Sequence, residues 1–218
     1  MKYVLWDWNG TLLDDVPAAF NTANAMLRRR GLPQITRERY REAFGFPVRD
    51  FYAAVGFRLD EENWDAMAVE YHDLLRSDPA QRLRDGAMAA LECVRQAGAG
   101  QSIISALRQD MLDADTAKAG VRPFMDRVWG VDNLDGATKL SRARALMKEL
   151  RLDPSATVMI GDTLHDLETA RELGAACVLA DVGHQSLACR VPAGVPTVGS
   201  LAAAAGRALE FLQCNRGH

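Results

Sequence analysis

Residues 3–15 read YVLWDWNGTLLDD. The stretch opens as an unbroken apolar, β-prone run, Tyr3-Val4-Leu5-Trp6. That pattern suits a strand buried on both faces of a parallel sheet. It stops at Asp7, and Asn9-Gly10-Thr11 follows. In an open α/β sheet, chemistry collects at the carboxyl ends of the strands. A carboxylate there, ahead of a glycine turn and a free hydroxyl, is a candidate nucleophile or metal ligand. An ordinary strand-ending turn reads the same way, because Asn-Gly is a common turn pair. The window alone leaves both readings open.

Downstream of Asp15 the pattern turns helical. Pro17 suits a helix start, and Phe20, Ala23, Met26 and Leu27 recur at helical spacing until Gly31. Further helices are predicted over 36–44, 49–55 and 61–77, with Gly45-Phe46-Pro47 as a break. No strand is expected in 15–84, so this block reads as an inserted all-helical domain. The remainder, 1–14 and 85–218, changes rhythm. Helices predicted over 87–96, 108–119, 140–150, 166–173 and 201–212 alternate with strands over 101–106, 127–131, 156–160, 176–179 and 195–198. Such alternation implies a parallel sheet with right-handed crossovers. The expected class is α/β, a Rossmann-like doubly wound parallel sheet carrying a helical insertion.

Composition sets outer bounds. The 218 residues suffice for one large domain, or one domain with a smaller insert. Hydrophobic residues at 48% and charged residues at 25% are ordinary for a globular protein. A net charge of −3, with Arg28-Arg29-Arg30 as the longest like-charge run, gives no nucleic-acid or membrane footprint. Cys93, Cys177, Cys189 and Cys214 are scattered without a CxxC pair, which suits reduced thiols in a cytoplasm. Met1-Lys2 leads straight into the first strand, so no signal peptide is expected. Nor does any apolar run approach membrane-spanning length.

Polar groups stand at three predicted strand ends, Asp7, Ser105 and Asp162, and Lys139 lies just ahead of a helix. In a doubly wound sheet these ends gather on one edge. Two carboxylates meeting there favour a divalent cation, and hard oxygen donors that also face a phosphate suit Mg²⁺. A lysine and a serine hydroxyl beside them complete an inventory for phosphoryl transfer by positioning and electrostatics.

These residues resemble the haloacid dehalogenase superfamily of hydrolases, in its phosphoglycolate-phosphatase-like branch with a helical cap. Asp7-Trp8-Asn9-Gly10-Thr11 is similar to the first motif, Ile103-Ile104-Ser105 to the second and Lys139 to the third. Gly161-Asp162-Thr163-Leu164-His165-Asp166 is similar to the fourth. The resemblance implies a phosphatase acting on a small phosphorylated metabolite, as a monomer or homodimer, with residues 15–84 as the cap. It implies that Asp7 attacks phosphorus, and that Asp7, the Asn9 carbonyl and Asp162 hold Mg²⁺, with Asp166 near the metal or Lys139. Gly10, Thr11, Ser105, Ala106 and Lys139 would meet the phosphate. Asp166 also suits a plain helix N-terminus, where a carboxylate faces the macrodipole.

One position departs from the pattern. Most phosphatases of this family carry a general acid–base aspartate where this chain has Asn9. An amide cannot exchange a proton there, although its NH₂ can donate to the bridging oxygen. Losing such help costs about 10²–10⁴-fold in rate. The reading is therefore a phosphatase slow on alkyl phosphates and less impaired on acyl or aryl phosphates. The alternative is a low-turnover phosphate-binding or regulatory protein. Phosphonoacetaldehyde hydrolases also lack an acid at that place but need a cap lysine. The lysines here, Lys2, Lys118, Lys139 and Lys148, all lie outside 15–84. Within the cap, Arg49 is the candidate for gripping a second anionic group on the substrate. His165 reads as an exposed loop residue, and His72 and His184 show no partner pattern. One of Trp6 and Trp8 is expected in the core and the other at the cleft.

Overall fold

The structure is a computed structural model and describes residues 1–131, 139–188 and 190–214. Cys189 lies outside the described residues, and the other three cysteines are unpaired thiols. The chain opens with β1 (Tyr3–Trp6). Two short strands, β2 (Leu13–Asp14) and β3 (Arg82–Leu83), bracket four helices: α1 (Val16–Arg29), α2 (Arg37–Ala43), α3 (Val48–Ala54) and α4 (Trp64–Ser77). There follow α5 (Ala87–Gln96), β4 (Gly100–Arg108), α6 (Gln109–Lys118), β5 (Arg127–Val131), α7 (Lys139–Glu149) and β6 (Thr157–Gly161). Then come α8 (Leu164–Leu173), β7 (Ala176–Ala180), β8 (Thr197–Val198) and α9 (Leu201–Cys214).

Six strands form one parallel sheet in the order β5-β4-β1-β6-β7-β8. The order reverses at β1, so the carboxyl end of β1 is the topological switch point where such sheets bind ligands. Side chains on a strand alternate between faces. Val4 and Trp6 pack with Ile103, Ile160, Leu91 and Leu209 on one face. Tyr3 and Leu5 pack with Ile104, Met159, Leu146 and Leu167 on the other. Buried on both sides, β1 has no place for a polar residue until it ends at Asp7. Both tryptophans lie fully buried in the first of these clusters, so neither lines the cleft, contrary to expectation.

The helices between β2 and β3 form a third cluster, around Met26, Tyr40, Phe51 and Met67. Thr36 and Asn63 cap two of them by accepting from Arg39 and Ala66 N–H. The Asn63 cap explains why the last helix begins at Trp64, three residues later than its periodicity suggests. No strand was expected between 15 and 84, yet β3 is there. It pairs antiparallel with β2, Leu13 opposite Leu83 and Asp14 opposite Arg82. Two residues carry too little pattern to announce themselves. Among the described residues no helix is long and apolar enough to cross a membrane. Because Leu5 is fully buried in the central strand, Leu5→Ala should cost about 2–5 kcal/mol, read as a lower urea midpoint with unchanged m-value.

Candidate active site

Three carboxylates meet at the switch point. Asp7 follows β1, Asp162 follows β6, and Asp166 lies in the first turn of α8. One oxygen from each falls within 4.8 Å of the others, and all three side chains are buried. Lys139, the first described residue of α7, bridges two of them. Its Nζ donates to Asp7 Oδ1 at 2.5 Å and to Asp166 Oδ1 at 2.6 Å. Asp162 accepts from the Thr11 hydroxyl at 2.9 Å and from the His184 N–H at 2.7 Å. Asp166 keeps both roles the sequence allows, because its other oxygen takes the Thr163 N–H and hydroxyl in a capping box. That box starts α8 at Leu164, two residues earlier than expected.

Backbone geometry makes room for this crowding. Gly10 sits at φ +77°, and a Cβ on it would run into the Asp162 carboxylate and the His184 ring. A Cβ on Gly183 would collide with the same carboxylate. Ser105 is buried and lines the cavity beside Ala106. It is not at the tip of its strand, because β4 runs on to Arg108 through a register irregularity after Ile104.

Charge in the site is unbalanced. Burial pushes the Asp7 carboxyl up to about 8, against the pull of Lys139, with Asp166 and Asp162 adding to the rise. Burial likewise lifts Asp162 to about 6 against the pull of His184. Burial would also raise Asp166, but Lys139 outweighs it and holds that carboxyl below the usual range. One lysine against three buried carboxylates leaves an excess of negative charge. The donor set is all oxygen, which fits a hard divalent cation such as Mg²⁺. Asp7, Asp162 and Asp166 are the residues that could hold it.

Comparison with known proteins assigns the chain to a family. The model of the haloacid dehalogenase-like hydrolases matches residues 4–180. The chain is a member of that family. It is 30% identical over 189 residues to a phosphoglycolate phosphatase of Xanthomonas campestris, covering 84% of this chain and 85% of that one. It is 26% identical to an N-acetylmuramic acid 6-phosphate phosphatase of Pseudomonas aeruginosa, covering 80% and 79%. A crystal structure described as a predicted phosphatase from Clostridium acetobutylicum superposes with a TM-score of 0.78 at 20% identity, covering 96% and 98%.

In this hydrolase Asn9 has a partner that sequence reasoning missed. Its Nδ2 donates to Asp15 Oδ2 at 2.8 Å. Asp15 Oδ1 accepts from the Gly10 N–H at 2.8 Å and faces His184 Nε2 at 3.1 Å. His184 Nδ1 meets the Tyr40 hydroxyl at 2.9 Å. Burial alone would raise Asp15 and lower His184, but each holds the other in its charged form. His184 was expected to have no partner, and it joins the helical block to the core. The signal was faint: a second acid after Asp14, and a histidine beyond a strand.

Other residues also sit elsewhere than expected. Gly10 and Thr11 do not line the cavity; the Thr11 hydroxyl is spent on Asp162. Arg49 is outside the cavity too, exposed, with its guanidinium over the Trp64 ring. His165 is not an exposed loop residue. It lies in α8 and stacks on Phe46 with centroids 4.6 Å apart.

Two outcomes test this electrostatic account. Lys139→Met should destabilise the metal-free protein by about 3–5 kcal/mol, because it strands buried carboxylates, as read by urea unfolding near neutral pH. The raised carboxyls of Asp7 and Asp162 keep protons that the unfolded chain loses above about pH 4. Their contribution to stability therefore falls as pH rises from about 4 to 8. A divalent cation reverses that penalty, so the melting-temperature gain on adding Mg²⁺ should be larger at pH 8 than at pH 5.

Proposed function

We propose that this chain is a Mg²⁺-dependent phosphomonoester hydrolase for a small phosphorylated metabolite. Residues 1–14 and 85–218 serve as the catalytic core, and residues 15–84 as a cap over it. The observation that carries the reading is that Asp7, bonded to Lys139, opens onto the same cavity as Asp162, Asp166 and Ser105. The relatives named for phosphatase activity support it.

In this mechanism the Asp7 carboxylate attacks phosphorus, the ester oxygen departs, and an aspartyl-phosphate remains. Water then attacks that phosphorus, releasing phosphate and restoring the carboxylate. Lys139 holds Asp7 in register and neutralises phosphate charge, and the Ser105 hydroxyl takes a phosphate oxygen. Mg²⁺ would draw negative charge off the phosphoryl oxygens and off the crowded carboxylates. The cap covers the cavity and excludes bulk water while Asp7 attacks the phosphomonoester.

Asn9 sets the rate in this reading. Its amide has no proton to exchange, and although Asn9 lines the cavity its Nδ2 is tied to Asp15. This favours a slow enzyme on alkyl esters, whose leaving oxygen needs a proton. The same feature supports a second reading, a phosphate-binding protein with little turnover.

A single Asn9→Asp change would set a carboxylate against Asp15 where the amide now donates. Exchanging the pair, Asn9→Asp with Asp15→Asn, restores the bond with donor and acceptor reversed. The double variant should raise turnover on an alkyl phosphate such as glycerol phosphate at least about tenfold over wild type, and should exceed the single variant. A double variant no faster than wild type would contradict the missing-acid argument. Wild type inert even on acetyl phosphate would favour the binding protein.

A further inference from the structure

The cavity over Asp7 has two unlike halves. Its floor, on the core, carries Asp7, Asp162, Asp166, Lys139 and Ser105. Its walls come from the helical block and are aromatic and aliphatic, Phe44, Phe51, Tyr52, Trp64, Met67 and Leu75 among them. The described lining residues between 16 and 77 include no lysine, arginine or carboxylate. His72 is the one histidine among them, and burial, with Arg76 and Arg108 nearby, favours its neutral form. Arg108, the arginine at the rim, is engaged by Asp110 at 2.5 Å.

This lining selects against charge. A substrate carboxylate would find an acidic floor and, among the described wall residues between 16 and 77, no lysine or arginine, and burying an unpaired charge is strongly unfavourable. Sugar hydroxyls fare little better. The Tyr40 hydroxyl is taken by His184, and that of Tyr52 lies on the Met26 sulfur. What the wall offers is chiefly ring faces and methylenes, with Tyr71 and His72 as its remaining polar side chains. The whole cavity, polar floor included, measures about 160 Å³, which limits the organic group to a small one.

The chemistry at Asn9 points independently to the same class. Without a general acid, the leaving oxygen must depart as an anion. A phenol, with a pKa of about 10, does this far more readily than an aliphatic alcohol.

We propose that the substrate class is an aryl phosphate, the phosphate monoester of a single-ring phenol bearing no carboxylate. The proposal rests on the hydrolase reading above. An Asp7 oxygen bonds to phosphorus as the P–O(aryl) bond breaks, and its electron pair leaves on the phenolate, which takes a proton from solvent. Water then cleaves the acyl phosphate at phosphorus, giving orthophosphate, a proton and the free carboxylate.

The test pairs binding with turnover on the full chain in Mg²⁺. Calorimetry compares phenylphosphonate with phosphonoacetate, and initial rates compare phenyl phosphate with 2-phosphoglycolate. The expectation is a preference of at least about tenfold for the phenyl compound in each pair, the scale of apolar pocket discrimination. Val48→Arg, which places a cation in the wall, should narrow or invert the binding preference. The wild-type ranking stands without that variant. Phosphonoacetate bound as tightly as phenylphosphonate, or neither bound, overturns the aryl assignment whatever the rates. Phenylphosphonate preferred with no turnover of phenyl phosphate upholds the pocket assignment and overturns the hydrolase reading.

Discussion

Everything at the carboxyl edge of the sheet is arranged around one ammonium group. Lys139 stands between Asp7 and Asp166, donating to both, with Asp162 close by. Buried like charges repel, and burial raises the energy of each one. Lys139 relieves part of this for two carboxylates, while Thr11, Thr163 and the His184 N–H share the remaining lone pairs. The surplus negative charge suits the place to a hard cation. The rest of the fold keeps these groups close: apolar packing on both faces of β1 fixes the start, and the capping box of α8 fixes the far wall.

A second buried charge pair sits a few residues away, and it changes how Asn9 is understood. Asp15 needs donors, and it has three in Asn9, Gly10 and His184. An aspartate at position 9 would present an acceptor to an acceptor. The amide is thus consistent with its surroundings rather than a lone lesion in a motif. Arg84 supports the same turn from behind, donating to the carbonyls of Gly10 and Thr11.

Much of this was legible in the chain. The strand at Tyr3–Trp6 was announced by an apolar run with no polar face, and the helix at Ala87–Gln96 by its period and a closing Gly98. Asp7, Lys139 and Asp162 could be drawn together because a doubly wound sheet brings its strand ends to one edge whatever their separation in sequence. Contacts between the block of helices and the core were not legible. Asp15, His184 and Tyr40 belong to three segments whose meeting depends on how the block is docked, and no local periodicity encodes docking. Arg49 was read as an anion clamp from its place in the loop after Pro47, but its guanidinium lies over the Trp64 ring, a contact that also depends on how the helices pack. One of Trp6 and Trp8 was expected at the cleft, yet both are fully buried in the same core cluster.

His184 holds two things at once. Its backbone N–H fixes Asp162, while its imidazole reaches Asp15 and Tyr40 and stacks under Phe44. Around it, Arg41 grips Asp181 and the Gly183 carbonyl, and Gln185 donates to the Phe44 carbonyl. The contacts that fasten the helical block to the core are therefore made by the same short loop whose backbone N–H holds the Asp162 carboxylate. Under the proposed cap role, an outward displacement of the helical block that pulled on this loop would reach Asp162 through a single peptide unit.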